Sequence, residues 1–118
     1  MARKLAKNEN DKWDSQRVSD GYLSTARDAE IYLDEIREKV KSNPSYEVIY
    51  DEYLAKFFVY NYLHGRTFLD TKQALVSELR SMLARPALDS KVYDAARFKK
   101  YYCVYVQEVL RNLESSET

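Results

Sequence analysis

The stretch YEVIYDEYLAKFFVYNYLHG, residues 46–65, carries apolar and aromatic side chains around a wide arc of an α-helix. Many of its apolar positions recur at the three- and four-residue spacing that brings side chains onto one helical face. Additional apolar residues beside them widen that face. Together these residues are Tyr46, Ile49, Tyr50, Tyr53, Leu54, Phe57, Phe58, Tyr60 and Leu63. A helix with so wide an apolar arc is covered on more than one side. We therefore predict that this segment is the central helix of the protein.

An amphipathic helix is predicted upstream of this segment. Ser24 or Thr25 is a suitable N-cap, because a hydroxyl oxygen accepts hydrogen bonds from the free N–H groups of a first helical turn. From there the helix should run to about Lys41, with charged residues opposite an apolar stripe. The stripe is formed by Ala29, Tyr32, Leu33, Ile36 and Val40. Residues 1–20 are rich in charge and poor in spaced apolar side chains, which predicts a mobile arm or a weakly held helix.

Two more helices are predicted downstream. Gly65 can adopt the left-handed conformation that ends a helix, so the central helix should stop there. Thr67 or Asp70 would cap a third helix, and Asp89 or Ser90 would open the last one. The third helix has its stripe at Leu75, Val76, Leu79, Met82 and Leu83. The last carries Val92, Tyr93, Ala96, Phe98, Tyr101, Tyr102, Tyr105, Val106, Val109 and Leu110.

The composition indicates an all-α fold. Only two glycines and two prolines occur among 118 residues, too few for the turns of a hairpin-rich sheet protein. We predict a single compact domain, a bundle of four to five helices over residues 21–113, with a short tail over 114–118. No apolar run approaches the ~20 residues of a membrane span, and the lone Cys103 has no partner for an internal disulfide. These features predict a cytoplasmic protein that does not enter a membrane.

Charge is unevenly distributed along a chain whose formal net charge is zero. Residues 28–52 carry three basic and eight acidic groups, whereas residues 53–118 carry ten basic and seven acidic groups. The first helix is thus acidic and the remainder of the chain is basic. Such an asymmetry can steer an anionic partner, or align identical copies in a dimer or a head-to-tail stack. A set of ordinary solvated faces is the alternative explanation.

Few residues are suited to catalysis or to metal binding. The chain has one histidine and one cysteine, and it has neither a glycine-rich phosphate loop nor the ligand spacing of a zinc site. Cys103 lies among tyrosines and valine, which indicates a buried and unreactive thiol. His64 has no evident carboxylate to orient it, so no role is assigned to it. We expect a protein that is not an enzyme and that needs no cofactor or metal.

Basic residues accompany tyrosines in the second half of the chain. Lys56, Lys72, Lys99 and Lys100 are candidate nucleic-acid contacts because of their charge and their position beside aromatic segments. Cations neutralise phosphate, and phenol rings can stack on bases. Most of the tyrosines fall on predicted core stripes, so they are more readily explained as packing residues whose hydroxyl reaches the surface.

Three segments resemble, in their order and spacing, landmarks of a known family. They are YLST at residues 22–25, FFVYNYLHGR at 57–66 and RFKKYYCVYVQEVL at 97–110. Together they are similar to the small helical subunit of type III-A CRISPR (Csm) effector complexes. The resemblance covers residues 21 to about 113. Within it, Arg66 matches a Gly-Arg landmark of the family and Arg97 matches an Arg-Phe landmark.

The resemblance implies a non-catalytic subunit of a ribonucleoprotein. Copies would stack along the guide RNA and its paired target RNA, beside the other subunits of the effector complex. They would contact phosphate and ribose, so that any target sequence is accepted. Cleavage would belong to the other subunits. Arg66 and Arg97 would then join the four lysines as contacts to the RNA backbone.

Two other interpretations stay open at this point. DAEIYLDEIREKVKSNPSYEVIYDEYLAKF, residues 28–57, resembles the first half of a paired amphipathic helix domain, a four-helix bundle whose groove takes a partner's amphipathic helix. The other is a plain homodimeric helical bundle without a nucleic-acid role. Only the interpretation as a ribonucleoprotein subunit predicts salt-sensitive RNA binding. The groove-binding module predicts capture of an apolar helical peptide.

Overall fold

Four α-helices make up the part of the chain that the computed structural model describes, residues 14–67, 71–86 and 92–115. They are α1 (Ser15–Ser42), α2 (Tyr46–Thr67), α3 (Lys72–Ala84) and α4 (Ala95–Ser115), and no β-strand occurs in those residues. The predicted all-α bundle is confirmed. The predicted arm and tail lie partly outside the described residues, at 1–13 and 116–118.

α1 begins well before its predicted start, at Ser15. Asp14 is its N-cap, because the Oδ1 atom of this side chain accepts the backbone N–H of Arg17 at 3.1 Å. Ser24 and Thr25, which were predicted as caps, lie inside the helix, so that prediction is wrong. The physical reason is a core-facing stripe that continues upstream at alternating spacings of three and four residues. Its members are Ser19, Tyr22, Ala26, Ala29, Leu33 and Ile36.

α2 is the central helix, as predicted, since α1, α3 and α4 all pack against it. α1 and α2 form an antiparallel hairpin. Near its closed end, the rings of Tyr32 and Tyr53 meet edge to face with centroids 4.6 Å apart. Near its open end, Tyr22 and Tyr60 meet in the same manner at 5.6 Å. Aromatic contacts therefore hold this hairpin together along its length.

α4 runs parallel to α2. Arg97 near the start of α4 contacts Asp51 near the start of α2, and further along Glu108 accepts a hydrogen bond from Tyr60. α3 packs on both α2 and α4, whereas α1 packs mainly on α2. α1 and α3 thus border different flanks of the α2–α4 pair, and each flank carries a surface depression.

Gly65 does not end α2. Neither glycine has a positive φ, and the helix continues past Gly65 to Thr67. The predicted left-handed cap is therefore wrong. The last turn is retained because it docks on α1, where Ser19 lies within hydrogen-bond distance of the ring of His64. Tertiary contacts here outweigh the preference of glycine for helix ends.

Thr71 caps α3. Its Oγ1 atom accepts the backbone N–H of Ala74 at 3.1 Å. Of the two caps predicted from the sequence, Thr67 belongs to α2 and Asp70 lies outside the described residues. The prediction of Thr67 is wrong because α2 extends through that position.

Asp94 takes the capping position of α4. Its Oδ1 atom accepts the backbone N–H of Arg97 at 3.1 Å, and the helix begins at Ala95. The predicted openings at Asp89 and Ser90 lie outside the described residues. Lys99 and Lys100, in the first turns of α4, are exposed.

The core is formed by all four helices. Its largest fully buried apolar side chains are Phe98, Ile36, Leu63, Leu75, Leu79, Val59 and Val106. The predicted stripes of α1 and α3 supply most of the buried residues of those helices, although Tyr32 remains 38% exposed. The rings of Phe58 and Phe98 meet edge to face at 5.9 Å, which joins α2 to α4. The bundle therefore holds the surface of α2, α3 and α4 as one rigid frame.

Candidate nucleic-acid interface

Arg66 lies in the last turn of α2 and is oriented by α3. Its Nη2 atom donates to Oε1 of Glu78 at 3.4 Å, and the other oxygen of that carboxylate accepts the hydroxyl of Tyr62 at 2.6 Å. The side chain of Arg66 is 51% exposed. A guanidinium has five N–H donors, and the long bond to Glu78 uses one of them. Arg66 is thus positioned by the protein while most of its donors face outward.

Lys56 bridges α2 and α4 through aromatic rings. Its Nζ atom lies 5.7 Å from the ring centroid of Tyr53 and 5.8 Å from that of Tyr105. The hydroxyl of Tyr105 donates to Glu52 at 3.2 Å, which fixes the ring. Contacts of an ammonium with a ring contribute only about 0.5–1 kcal/mol at exposed sites. A phosphate would compete with a weak interaction here, although Lys56 is half-buried.

Lys99 and Lys100 are exposed near the start of α4. The Nζ atom of Lys100 lies 5.7 Å from the ring centroid of Tyr101. Lys99 forms no ion pair with any residue that the structure describes. Neighbouring residues of a helix diverge by about 100° because a turn takes 3.6 residues. The two ammonium groups therefore cover a wide sector of the surface instead of a single point.

Arg97 is directed inward, to Asp51. Its Nε and Nη2 atoms lie 3.0 and 2.9 Å from Oδ2 of the fully buried Asp51 carboxylate. The side chain of Arg97 is 24% exposed. This ion pair neutralises one of the six cations that the sequence assigned to RNA contact. A phosphate contact by Arg97 stays a prediction, and the bond to Asp51 gives the side chain a structural role.

Lys72 is the first residue of α3 and lines an open cavity of about 410 Å³. Arg80 and Glu114 also line this cavity, and they form an ion pair across α3 and α4 at 2.9 Å. Both members of the pair are largely exposed, so it contributes little to stability. The cavity carries two cations and one carboxylate, a composition that is compatible with an anionic ligand.

The six predicted residues do not converge on one point. Because α2 and α4 run parallel, Arg97, Lys99 and Lys100 lie toward the end where both helices begin, and Arg66 lies toward the end where α2 finishes. Lys56 falls between these two ends. The structure thus distributes the cations along the bundle, an arrangement suited to an elongated polyanion and poorly suited to a small ligand.

Five of the six carboxylates of α2, α3 and α4 form contacts within the protein. Asp51 binds Arg97, Glu52 accepts from Tyr105 and Glu78 accepts from Tyr62 and Arg66, while Glu108 and Glu114 bind Tyr60 and Arg80. α1 exposes a row of acidic side chains, two of which pair with cations of the same helix, Asp34 with Arg37 and Glu38 with Lys41. The row consists of Asp28, Glu30, Asp34, Glu35 and Glu38. Over its whole length α1 carries six acidic and five basic groups, so the helix is close to neutral, and the acidic excess predicted for residues 28–52 includes the first residues of α2.

His64, to which the sequence assigned no role, joins the two ends of the α1–α2 hairpin. Its Nδ1 atom lies 2.8 Å from Oγ of Ser19 and 3.1 Å from the backbone carbonyl oxygen of the same residue. The hydroxyl of Ser19 donates to the backbone carbonyl oxygen of His64 at 3.0 Å. Ser19 is fully buried, so its hydroxyl is inaccessible to a substrate. No local pattern predicts this pair, because the two residues are 45 positions apart.

Three tyrosines beside this hairpin have raised pKa values. Burial raises the pKa of Tyr22 to about 12. Burial is also the main cause of the raised pKa of Tyr60 and of Tyr105, and the neighbouring carboxylates Glu108 and Glu52 add to the effect. All three phenols are consequently protonated at neutral pH, so the hydroxyls of Tyr60 and Tyr105 can donate to the carboxylates beside them.

The described residues contain no group of three or more histidine, cysteine, aspartate and glutamate side chains arranged to hold a metal ion. Cys103, which was predicted to be buried, is half-buried and forms no disulfide. A search of the same part of the chain found no helix of sufficient length and apolarity to cross a membrane.

Comparisons with known proteins were made at three levels. No family model matches the chain, and neither the curated proteins nor the solved structures contain a match.

Proposed function

We propose that this protein is the non-catalytic small subunit of a type III-A CRISPR ribonucleoprotein that acts in the cytoplasm. It would stack in several copies along the duplex of guide RNA and target RNA, in contact with the other effector subunits. The proposal rests on the resemblance of three sequence segments and on one structural observation. That observation is a set of exposed cations on α2, α3 and α4, in a region where five carboxylates form contacts within the protein.

The exposed cations of α2, α3 and α4 support RNA binding through a specific physical argument. On α2 and α3 the carboxylates Asp51, Glu52 and Glu78 are half-buried or fully buried and accept internal hydrogen bonds. Lys99 therefore faces solvent without an ion pair to a described residue, and the exposed Arg66 uses one of its five donors on Glu78. A polyanion approaching this side meets a positive field.

Backbone contact is the mode of recognition that these residues support. Lys99, Lys100 and Arg66 present donors from rigid helices, and they are spread along the bundle. Cations so placed neutralise successive phosphates without reading base edges. Affinity should then be modest and should fall steeply with salt, because each neutralised phosphate releases counterions.

The experiment is a salt series with a fluorescent single-stranded RNA and the full chain. We expect binding at low salt that weakens as salt is raised, with a logarithmic slope of about −0.7 per phosphate contacted. Arg66→Glu should weaken binding, and Lys99→Glu/Lys100→Glu should weaken it further. Arg27→Glu and Lys39→Glu/Lys41→Glu are matched controls, because they reverse the same number of charges on α1.

Two outcomes would contradict the proposal. Absence of any salt-sensitive association at high protein concentration would remove the case for a basic contact surface. Equal weakening by the α1 controls would show that only total charge matters, and not the face of α2–α4. Circular dichroism of each variant separates loss of binding from loss of the fold.

The groove-binding module is favoured by a different observation. A depression of about 330 Å³ lies between α1 and α4, over the ring of Tyr60. Val18, Tyr22 and Val109 give it apolar walls. A partner's amphipathic helix could place one apolar side chain there. Under this alternative the protein captures an apolar helical peptide, Val18→Glu abolishes the capture without placing a charge in the core, and RNA is ignored.

A further inference from the structure

A small cavity lies beside the Arg66–Glu78 pair, where α2, α3 and α4 meet. Its volume is about 210 Å³. The walls are largely aromatic, with Phe58 and Tyr62 from α2 and Tyr102 from α4. Typical sites for drug-sized ligands begin near ~300 Å³, so this cavity suits a single ring system.

One arginine lines the cavity, and a second is bonded to a carboxylate that lines it. Arg85 lines it at the end of α3, is exposed, and forms no ion pair with a described residue. Arg66 is bonded to Glu78, which lines the cavity seven residues before Arg85. Seven residues make two helical turns, so Glu78 and Arg85 share a face of α3 and lie about 10 Å apart along its axis. Two guanidinium groups against one carboxylate leave this site positively charged.

The ring of Tyr62 offers a preorganised stacking surface. It is 39% exposed, and its hydroxyl is held by Glu78 at 2.6 Å. The bond to Glu78 is the largest cause of the raised pKa of Tyr62, which keeps the phenol protonated as the donor. A ring already fixed in place loses little conformational entropy when a flat ligand stacks on it.

We infer that this cavity accepts one unpaired nucleobase of a bound RNA, with the phosphates on either side of that nucleotide at Arg66 and Arg85. The inference rests on the proposed function, because the ligand is RNA. It adds to that function a binding site for a base that is not stacked on its neighbours. Stacking on an aromatic ring accepts every base, so this site selects unpaired nucleotides and not a sequence. An apolar side chain of a partner protein would fit the same walls, but the paired arginines favour an anionic ligand.

The test compares the binding of two RNA probes by the full chain. One is a single-stranded oligoadenylate, and the other is an oligomer of equal length that has the same ribose phosphate backbone without bases. The wild-type chain should bind the oligoadenylate at least about fivefold more tightly. Ser81→Phe fills the cavity from its exposed rim and should abolish this difference without changing the affinity for the abasic oligomer.

Ala74→Phe is the control, because it adds a ring at another exposed position of α3 that lines neither this cavity nor the one beside Lys72. It should preserve the preference for the oligoadenylate. Tyr62→Leu keeps apolar volume but removes the stacking ring, so it should lower the preference for the oligoadenylate. This variant takes the place of Ser81→Phe as the test if Ser81→Phe loses helical signal in circular dichroism. The half-exposed position of Tyr62 makes this second variant well tolerated.

Each outcome bears on the inference. Equal affinity of the wild type for both oligomers, with Arg66→Glu weakening both, would overturn the base site and leave backbone binding intact. A preference that persists in Ser81→Phe would also overturn it, since the base would then stack elsewhere. No binding of either oligomer at low salt would overturn the proposed function and the base site together.

Discussion

The carboxylate of Asp51 is fully buried and lies 2.9 Å from the guanidinium of Arg97. It also accepts the backbone N–H groups of Tyr93 and Asp94, each at 2.9 Å. One side chain of α2 therefore accepts hydrogen bonds from the chain segment that leads into α4 and from Arg97 in the first turn of α4. This relationship fixes the position of the exposed Lys99 and Lys100 relative to α2.

Removing the carboxylate should destabilise the bundle strongly. Asp51→Ala leaves Arg97 and two backbone N–H groups without their acceptor, and breaking a buried ion pair typically costs about 3–5 kcal/mol. Urea unfolding followed by circular dichroism measures the change in the free energy of unfolding. Lys99→Ala, two positions from Arg97 on an exposed site, should change it by no more than about 0.5 kcal/mol. A similar small change for Asp51→Ala would show that the pair is not a structural anchor.

Alanine at Gly65 should stabilise the protein. Gly65 lies inside α2 without a positive φ, and a Cβ placed there meets nothing within 4 Å. Replacing glycine by alanine in a helix interior gains about 0.5–1 kcal/mol. Thermal unfolding of Gly65→Ala, with Gly21→Ala in α1 as the matched case, measures the gain. A loss of stability in Gly65→Ala but not in Gly21→Ala would support the left-handed cap that the sequence predicted.

The start of α1 can be tested by removing candidate caps. Asp14→Ala takes away the acceptor of the Arg17 N–H and should lower the free energy of unfolding by about 1 kcal/mol. Ser24→Ala should leave it unchanged or slightly raised, because alanine is favoured inside a helix. Urea unfolding of both variants provides the comparison. The reverse order of effects would place the helix start at Ser24.

Alkaline pH should destabilise the bundle through its buried tyrosines. The pKa of Tyr22 is raised to about 12, and burial also raises that of Tyr60, whereas an unfolded tyrosine has a pKa of 10.0. The unfolded chain therefore releases these protons first, so the stabilisation is complete below about pH 10 and is lost as pH rises toward 12 and above. Ultraviolet absorbance of tyrosinate, recorded with circular dichroism, follows both events.

A matched pair of variants assigns the effect to one tyrosine. Glu108→Gln removes a negative charge beside Tyr60 and should let its phenol ionise at lower pH. Glu114→Gln removes the same charge from an exposed position on the same helix, where the partner is Arg80. If all tyrosines of the wild type ionised together near pH 10, the buried positions of Tyr22 and Tyr60 would be contradicted.

Local sequence patterns predicted helices better than helix ends. The apolar spacing of residues 46–63 identified α2 and its central position, because three- and four-residue periodicity follows directly from helical geometry. Gly65 and Thr25 misled for a common reason. Both residue types favour helix ends in isolation, but contacts with a neighbouring helix extend α1 and α2 past them.

The sequence identified the charged residues of the candidate site, but not which of them form ion pairs within the protein. Lys99 and Lys100 are exposed, as residues chosen for RNA contact need to be. Arg97 looked equivalent in the sequence, yet it is bonded to Asp51, 46 positions away. The cavity beside Tyr62 had no sequence signal, since its walls come from three separate helices.

By itself, the sequence determined that this chain is an all-helical bundle with an acidic excess in residues 28–52 and a basic excess in residues 53–118. The apolar periodicity, the scarcity of glycine and proline and the order of charges along the chain are properties of the sequence, so they can be identified without the tertiary structure. Only the tertiary structure decided where each helix ends and which cations remain exposed. Those outcomes depend on contacts between distant residues, such as Ser19 with His64 and Asp51 with Arg97, and no local pattern records them.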